Sequence, residues 1–108
     1  MALDVDTAAL LMDQLGNQTR LRIVRLLVRA GEEGRTVGDL QRELAIPAST
    51  LSHHLGHLRG AGIVWQERAG TVLHTFVDFG LITELVDFLT AECCSDMGRS
   101  PARRRATG

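Results

Sequence analysis

The chain has 108 residues, is 44% hydrophobic and 23% charged, and carries a formal net charge of -1, which suits one small globular domain and argues against a multi-domain enzyme. No apolar run approaches the ~18 to 20 residues of a membrane span, and the opening MALDVDTAALLMDQLG carries early acids in place of a basic signal-peptide start, so a cytoplasmic protein without a membrane partner is expected. Aromatics amount to 4% with no tyrosine, which leaves base-stacking modes of single-stranded nucleic-acid binding almost nothing to use.

Charge is distributed in blocks. Residues 1–13 hold three aspartates and no base, residues 14–60 are +3, residues 61–92 are -4, and the tail from 93 returns to +3. Every base is arginine. This balance alone does not call for a polyanion, but bases sharing one face can still bind one.

In chain order, residues 5–15 space Val5, Ala8, Ala9, Met12 and Leu15 at helical intervals, and Gly16 ends that helix. Asn17 is the expected N-cap of a second helix in which Leu21, Ile23, Val24, Leu27 and Val28 bury while Arg20, Arg22, Arg25 and Arg29 face out, closed by Gly31. After a charged turn, Thr36 and Asp39 resemble a capping box opening a short helix with Leu40 and Leu44 inward, which stops before Ile46-Pro47. From Ala48 to about Gly60 a fourth helix buries Leu51, Leu55 and Leu58 and presents Ser49, Thr50, Ser52, His53, Gly56 and His57. Residues 63–68 and 71–77 alternate with period two around Ala69-Gly70, a β-hairpin. A last amphipathic helix is expected over roughly Leu81 to Glu92, and the stretch after Asp96 has no periodicity and reads as disordered.

Two helices joined by a short turn, then a hairpin, make a mainly α winged helix-turn-helix with an extra helix at each end. The terminal helices carry more apolar surface than one small core consumes, so a homodimer through them is expected, with Leu85, Phe88 and Leu89 at the interface. The alternative is that they only wrap their own core. The expected organisation is a DNA-binding and dimerisation domain over 1–92, followed by a cysteine pair and a basic tail over 93–108.

LGNQTRLRIVRLL at 15–27, TVGDLQRELAIPASTLSHHLGHLRGAGIV at 36–64 and the hairpin after them resemble the ArsR/SmtB family of winged-helix repressors. Within these, Ser52-His53-His54-Leu55, Leu58 and Ala61-Gly62-Ile63-Val64 are the most specific stretch. The resemblance implies a homodimer on double-stranded operator DNA, with Ser49, Thr50, Ser52, His53 and His57 toward the major groove and Arg68 of the wing meeting phosphate or the minor groove. The residue chemistry agrees, because short hydroxyl and imidazole side chains can reach base edges and Gly56 allows close approach. Ser49 and Thr50 can equally be helix caps, and His54 beside Leu55 suits a packed structural role.

His53 and His57 have the i, i+4 spacing of a two-histidine metal site, but no carboxylate or thiol at neighbouring turns completes a tetrahedron. The chain has two cysteines, Cys93 and Cys94, adjacent and just past the last helix, and no histidine after His74. Two soft thiolates suit a thiophilic ion such as arsenite or antimonite better than zinc. Some arsenic-responsive members implied by the resemblance add a third cysteine, which is absent here, so arsenite with a hydroxide or methylarsenite with its methyl group in the third place are the expected effectors, a site bridged to a thiol of the partner subunit being the alternative. Thiol redox or persulfide sensing, and an incidental pair, are the competing readings. A DNA-independent interaction module is the alternative from a different class. No activated nucleophile, phosphate loop or carboxylate cleft signals an enzyme. Neighbours on an α-helix point about 100° apart, so one arsenic atom can gather both sulfurs only if the helix ends before Cys93 or unwinds there.

Overall fold

In the computed structural model, which describes residues 3–97, Asp4 accepts the backbone N–H of Thr7 at 2.8 Å and starts α1 (Val5–Leu15). That bond holds the Asp4 carboxyl below its usual range, as expected for an acid at a helix N-terminus. Asn17 caps α2 (Gln18–Ala30) through the N–H of Arg20, and Gly31, at φ +67°, closes it. A single 3-10 turn (Gly31–Glu33) leads into β1 (Arg35–Thr36), then α3 (Val37–Leu44), α4 (Ala48–Gly60), β2 (Val64–Ala69), β3 (Val72–Val77) and α5 (Phe79–Thr90).

Among the described residues, five α-helices and a small antiparallel sheet of order β1-β3-β2 are the winged helix-turn-helix expected from the sequence. The core is one cluster in which Ile23 and Leu27 of α2, Leu40 of α3, Leu51 and Leu58 of α4 and Ile63 before the wing are essentially inaccessible. Each such side chain contributes about 1.5 to 3 kcal/mol relative to exposure. α1 packs on both α2 and α5, so the two terminal helices lie side by side.

Several expectations shift. The charged turn contains β1, which pairs Arg35 with Thr75 and Thr36 with His74; a two-residue strand leaves no period to detect. The hairpin turns at Gly70-Thr71, because Ala69 pairs with Val72 and Gly70 alone has positive φ there, the Gly-first two-residue turn. α5 begins at Phe79, two residues early, because Asp78 accepts the N–H of Leu81 as its cap. Thr36 caps α3 by accepting the N–H of Asp39 at 2.9 Å, but the Asp39 carboxylate meets Arg42 instead of returning to Thr36, so the capping box is half formed. Leu21 and Val28 stay exposed on α2, whereas Arg20 turns inward. Leu85 is only 5% exposed and belongs to its own core, which removes it from any interface. The disorder and basic charge expected after Asp96 fall, beyond Met97, outside the described residues.

Among the described glycines, Gly34 has the one steric requirement without slack. At φ +66° it crosses β3 so closely that a Cβ would sit 2.5 Å from the Thr75 carbonyl oxygen and 2.7 Å from the Phe76 ring.

Candidate nucleic-acid interface and thiol pair

Ala45 in the left-handed region ends α3, half-buried Ile46 packs on the core, and Pro47 at the N-cap starts α4, a three-residue helix-turn-helix corner. Pro47 has no side-chain cap bond, and neither Ser49 nor Thr50 supplies one, so capping does not account for those hydroxyls. With Leu51, Leu55 and Leu58 inward, Ser49, His53, Gly56 and Gly60 form a stripe at i, i+4, i+7, i+11 on the opposite side. Ser49, Ser52, His53 and His57 are exposed, and Thr50 and Gly56 are half-buried. A Cβ on Gly56 would meet nothing closer than an Arg59 nitrogen at 3.9 Å, so the fold itself does not need glycine there.

The His53 and His57 rings pack edge to face at 4.7 Å. Among the described residues no group of three or more His, Cys, Asp or Glu side chains is placed to hold a metal ion. His54 is half-buried and accepts the Arg20 Nε–H at Nδ1 (3.2 Å), while Arg20 also donates to Gln14 at 2.8 Å, tying α4 to α2 and α1. Burial first, then the charge of Arg20, pushes the His54 imidazole below its ordinary value.

On the wing, cross-strand partners share a face, so Arg68 lies with Gln66 and Leu73, while Trp65 and Glu67 occupy the other side with Phe76 and His74. Arg59, near the end of α4, donates to Gln66 at 3.0 Å, and Gln66 donates to the buried Thr75 hydroxyl. Arg68 is exposed on the face that Arg59 braces. The Arg59–Gln66 tie was not anticipated, since residues seven apart on a helix and a strand leave no periodic signal.

α5 ends at Thr90, and Glu92 (φ +60°) and Cys94 (φ +67°) turn the chain sharply. Both cysteines are free and exposed, with their Sγ atoms 3.2 Å apart. Of the two conditions for gathering both sulfurs, an early helix end is the one realised. The hydrogen bond to Cys93, then the charge Cys93 carries when ionised, pushes the Cys94 thiol above the ordinary cysteine range. A double-thiolate acceptor therefore loses its second proton with more difficulty than its first, and a centre that bonds both sulfurs has to displace that proton.

Residues 15–66, from the end of α1 into β2, match the helix-turn-helix domain family. An uncharacterized HTH-type transcriptional regulator of Methanocaldococcus jannaschii, MJ1325, is 39% identical over 66 residues, which make up 61% of this chain and 72% of that protein. The chain belongs to the helix-turn-helix transcriptional regulators. Among solved structures, this regulator is similar to the ArsR family transcriptional regulator RHA00566, at TM-score 0.74 and 19% identity over 93% of this chain and 100% of that one, a likeness of fold. It is also similar to the homodimeric winged helix-turn-helix DNA-binding domain of Mb0332 from Mycobacterium bovis, described as a possible ArsR-family transcriptional regulator, at TM-score 0.64 and 26% identity over 82% of each chain. The fold of the regulator is thus the ArsR/SmtB-type winged helix.

Proposed function

We propose that this regulator is an ArsR/SmtB-type repressor that binds double-stranded operator DNA as a homodimer in the cytoplasm and is released when trivalent arsenic bonds Cys93 and Cys94. The observation that carries the effector reading is the 3.2 Å Sγ–Sγ contact directly beyond α5, a gap one arsenic atom can bridge. Arsenite would exchange two of its hydroxyls for the two sulfurs, each leaving as water with one thiol proton, and keep the third; methylarsenite would keep its methyl group. Antimonite offers the same thiophilic chemistry.

Dimerisation is supported by the apolar faces of α1 and α5, where Val5, Leu10, Val86 and Leu89 are all more than half exposed, and by the homodimeric Mb0332 fold. Because the thiol pair adjoins the α5 half of that surface, a ligand with unequal affinity for two dimer geometries would change the spacing of the recognition helices and so the DNA affinity. Ser49, Thr50, Ser52, His53 and His57 of α4 and Arg68 of the wing would form the DNA face.

The test is DNA release followed by anisotropy while arsenite, methylarsenite, zinc and an organic persulfide are titrated in parallel against the regulator and its Cys93→Ser and Cys94→Ser variants. Release by the arsenicals, with methylarsenite at least as effective as arsenite and both thiols required, supports the proposal. Release by zinc that depends on Cys93 overturns it. Thiol redox control is the second reading, favoured by the same sulfur contact, since two thiols so placed can close a disulfide when an oxidant accepts their electrons. Release by persulfide alone would select it.

A further inference from the structure

The wing face turned away from α4 carries a feature that neither DNA binding nor the thiol pair uses. Trp65 stacks on Phe76 with ring centroids 4.3 Å apart and planes 21° apart, and His74 follows at 6.5 Å from Phe76 in nearly the same plane orientation. Beside the stack, Phe79 at the start of α5 and Gly31-Glu32 after α2 close a cleft of about 530 Å³ that Trp65, Phe76, Glu67 and Asp78 also line. Three of the four aromatic residues of the chain therefore converge on one cleft. Its three ionisable lining residues, Glu32, Glu67 and Asp78, are all acids, and no arginine or histidine lines it. Asp78 is engaged as the cap of α5, whereas Glu32 and Glu67 are exposed and meet no cation among the described residues.

We propose that this cleft is a binding site for a small organic cation carrying an alkylated ammonium group. An open aromatic face attracts a cation within about 6 Å of its centroid, most strongly at tryptophan; stacking on Phe76 leaves Trp65 45% exposed and Phe79 is 39% exposed beside it, and an alkylated ammonium is weakly hydrated enough to leave water for such a surface. The carboxylates at the mouth match its charge, and the cleft lies within the roughly 300 to 1,000 Å³ of small-molecule sites. An anion is repelled by the same lining, and a neutral ligand gains nothing from the acids. The cleft joins the N-terminus of α5 to the sheet, so an occupant bears on the angle between them.

Trp65 is the only tryptophan, so its fluorescence reports this site without DNA or arsenic. The full chain is titrated with choline, with 3,3-dimethylbutan-1-ol as the neutral isostere, and with potassium chloride. The expected result is a saturable change in Trp65 emission with choline, at least tenfold weaker binding of the alcohol, and at least fivefold weaker choline binding in Glu32→Gln/Glu67→Gln, whose exposed substitutions leave the fold intact. Equal affinity for the alcohol, an unsaturable response matched by potassium chloride, or unchanged choline binding in the double variant overturns the site. So does emission that depends on protein concentration and ignores choline, which would show a second copy covering the rings. None of these outcomes depends on the thiol pair, so the effector reading and this one fail separately.

Discussion

The Nε–H of Arg20 on α2 points at Nδ1 of His54 on α4, 3.2 Å away, joining the recognition helix to the helix behind it through a neutral imidazole. A protonated ring has no lone pair at Nδ1 to accept that bond and would face a guanidinium. The folded pKa of His54 therefore lies below the unfolded value of about 6.5. The sign follows from linkage: the contribution is fully present above the unfolded pKa and is lost as pH falls through the depressed folded value. Urea midpoints should drop between pH 7.5 and 5.5 by more in the wild type than in His54→Asn, whose amide oxygen still accepts from Arg20. Equal drops would place the acid sensitivity elsewhere.

Gly34 and Gly62 both have positive φ, but only Gly34 lacks room for a side chain. Gly34→Ala should cost roughly 2 to 4 kcal/mol, because the backbone oxygen it strikes cannot rotate away, whereas Gly62→Ala, with nothing within 4 Å, should cost only about 1 to 2 kcal/mol for its left-handed conformation. Chemical denaturation of the two variants decides this, and a smaller loss at Gly34 would contradict the crossing geometry.

Leu85 and Leu89, one turn apart on α5, have opposite surroundings, the first buried and the second exposed. Leu85→Ala should destabilise the fold by about 2 to 5 kcal/mol through the cavity it leaves, since that side chain is buried within one protomer. Leu89→Ser removes only exposed apolar surface and should leave the urea midpoint of the separated chain almost unchanged while weakening self-association. Sedimentation over a range of concentrations provides the second readout; an unaltered dimer in Leu89→Ser would exclude this part of α5 from the interface.

Ser52, His53 and Arg68 are exposed and form no core contact, so their loss should be silent in thermal unfolding and audible in DNA binding. Ser52→Ala or His53→Ala should weaken specific binding by about 1 to 3 kcal/mol where the side chain reads a base. Arg68→Ala should weaken all sequences alike and reduce the salt slope by about one. Equal losses on operator and random DNA for all three would remove base reading from α4.

Most of this architecture was legible because it is periodic or capped. Asn17, Thr36 and Gly31 announce helix boundaries through chemistry that acts within three residues, and the leucines of α4 repeat at helical spacing. What escaped depends on partners distant in sequence. β1 exists because β3 has a free edge, Leu85 is internal because α1 and α5 lie together, and Arg20 turns inward because His54 waits 34 residues away. The exposed hydroxyls and imidazoles of α4 were legible, whereas the last helix, expected to run to about Glu92, stops at Thr90. The aromatic cleft was not, since its rings come from two strands and a helix start.

Thr36 belongs to two structures at once: its backbone pairs with His74 in the wing and its hydroxyl caps α3. The first helix of the helix-turn-helix is consequently bolted to the central strand of the wing, and Arg59–Gln66 fastens the second helix to the neighbouring strand. With both joints closed, the helix-turn-helix and the wing are tied to each other at two separate points. Under the proposed repressor function, a ligand bound beyond α5 would then act on DNA affinity through the orientation of this tied unit relative to α1 and α5, and a loosened joint at Arg59–Gln66 would blunt that response.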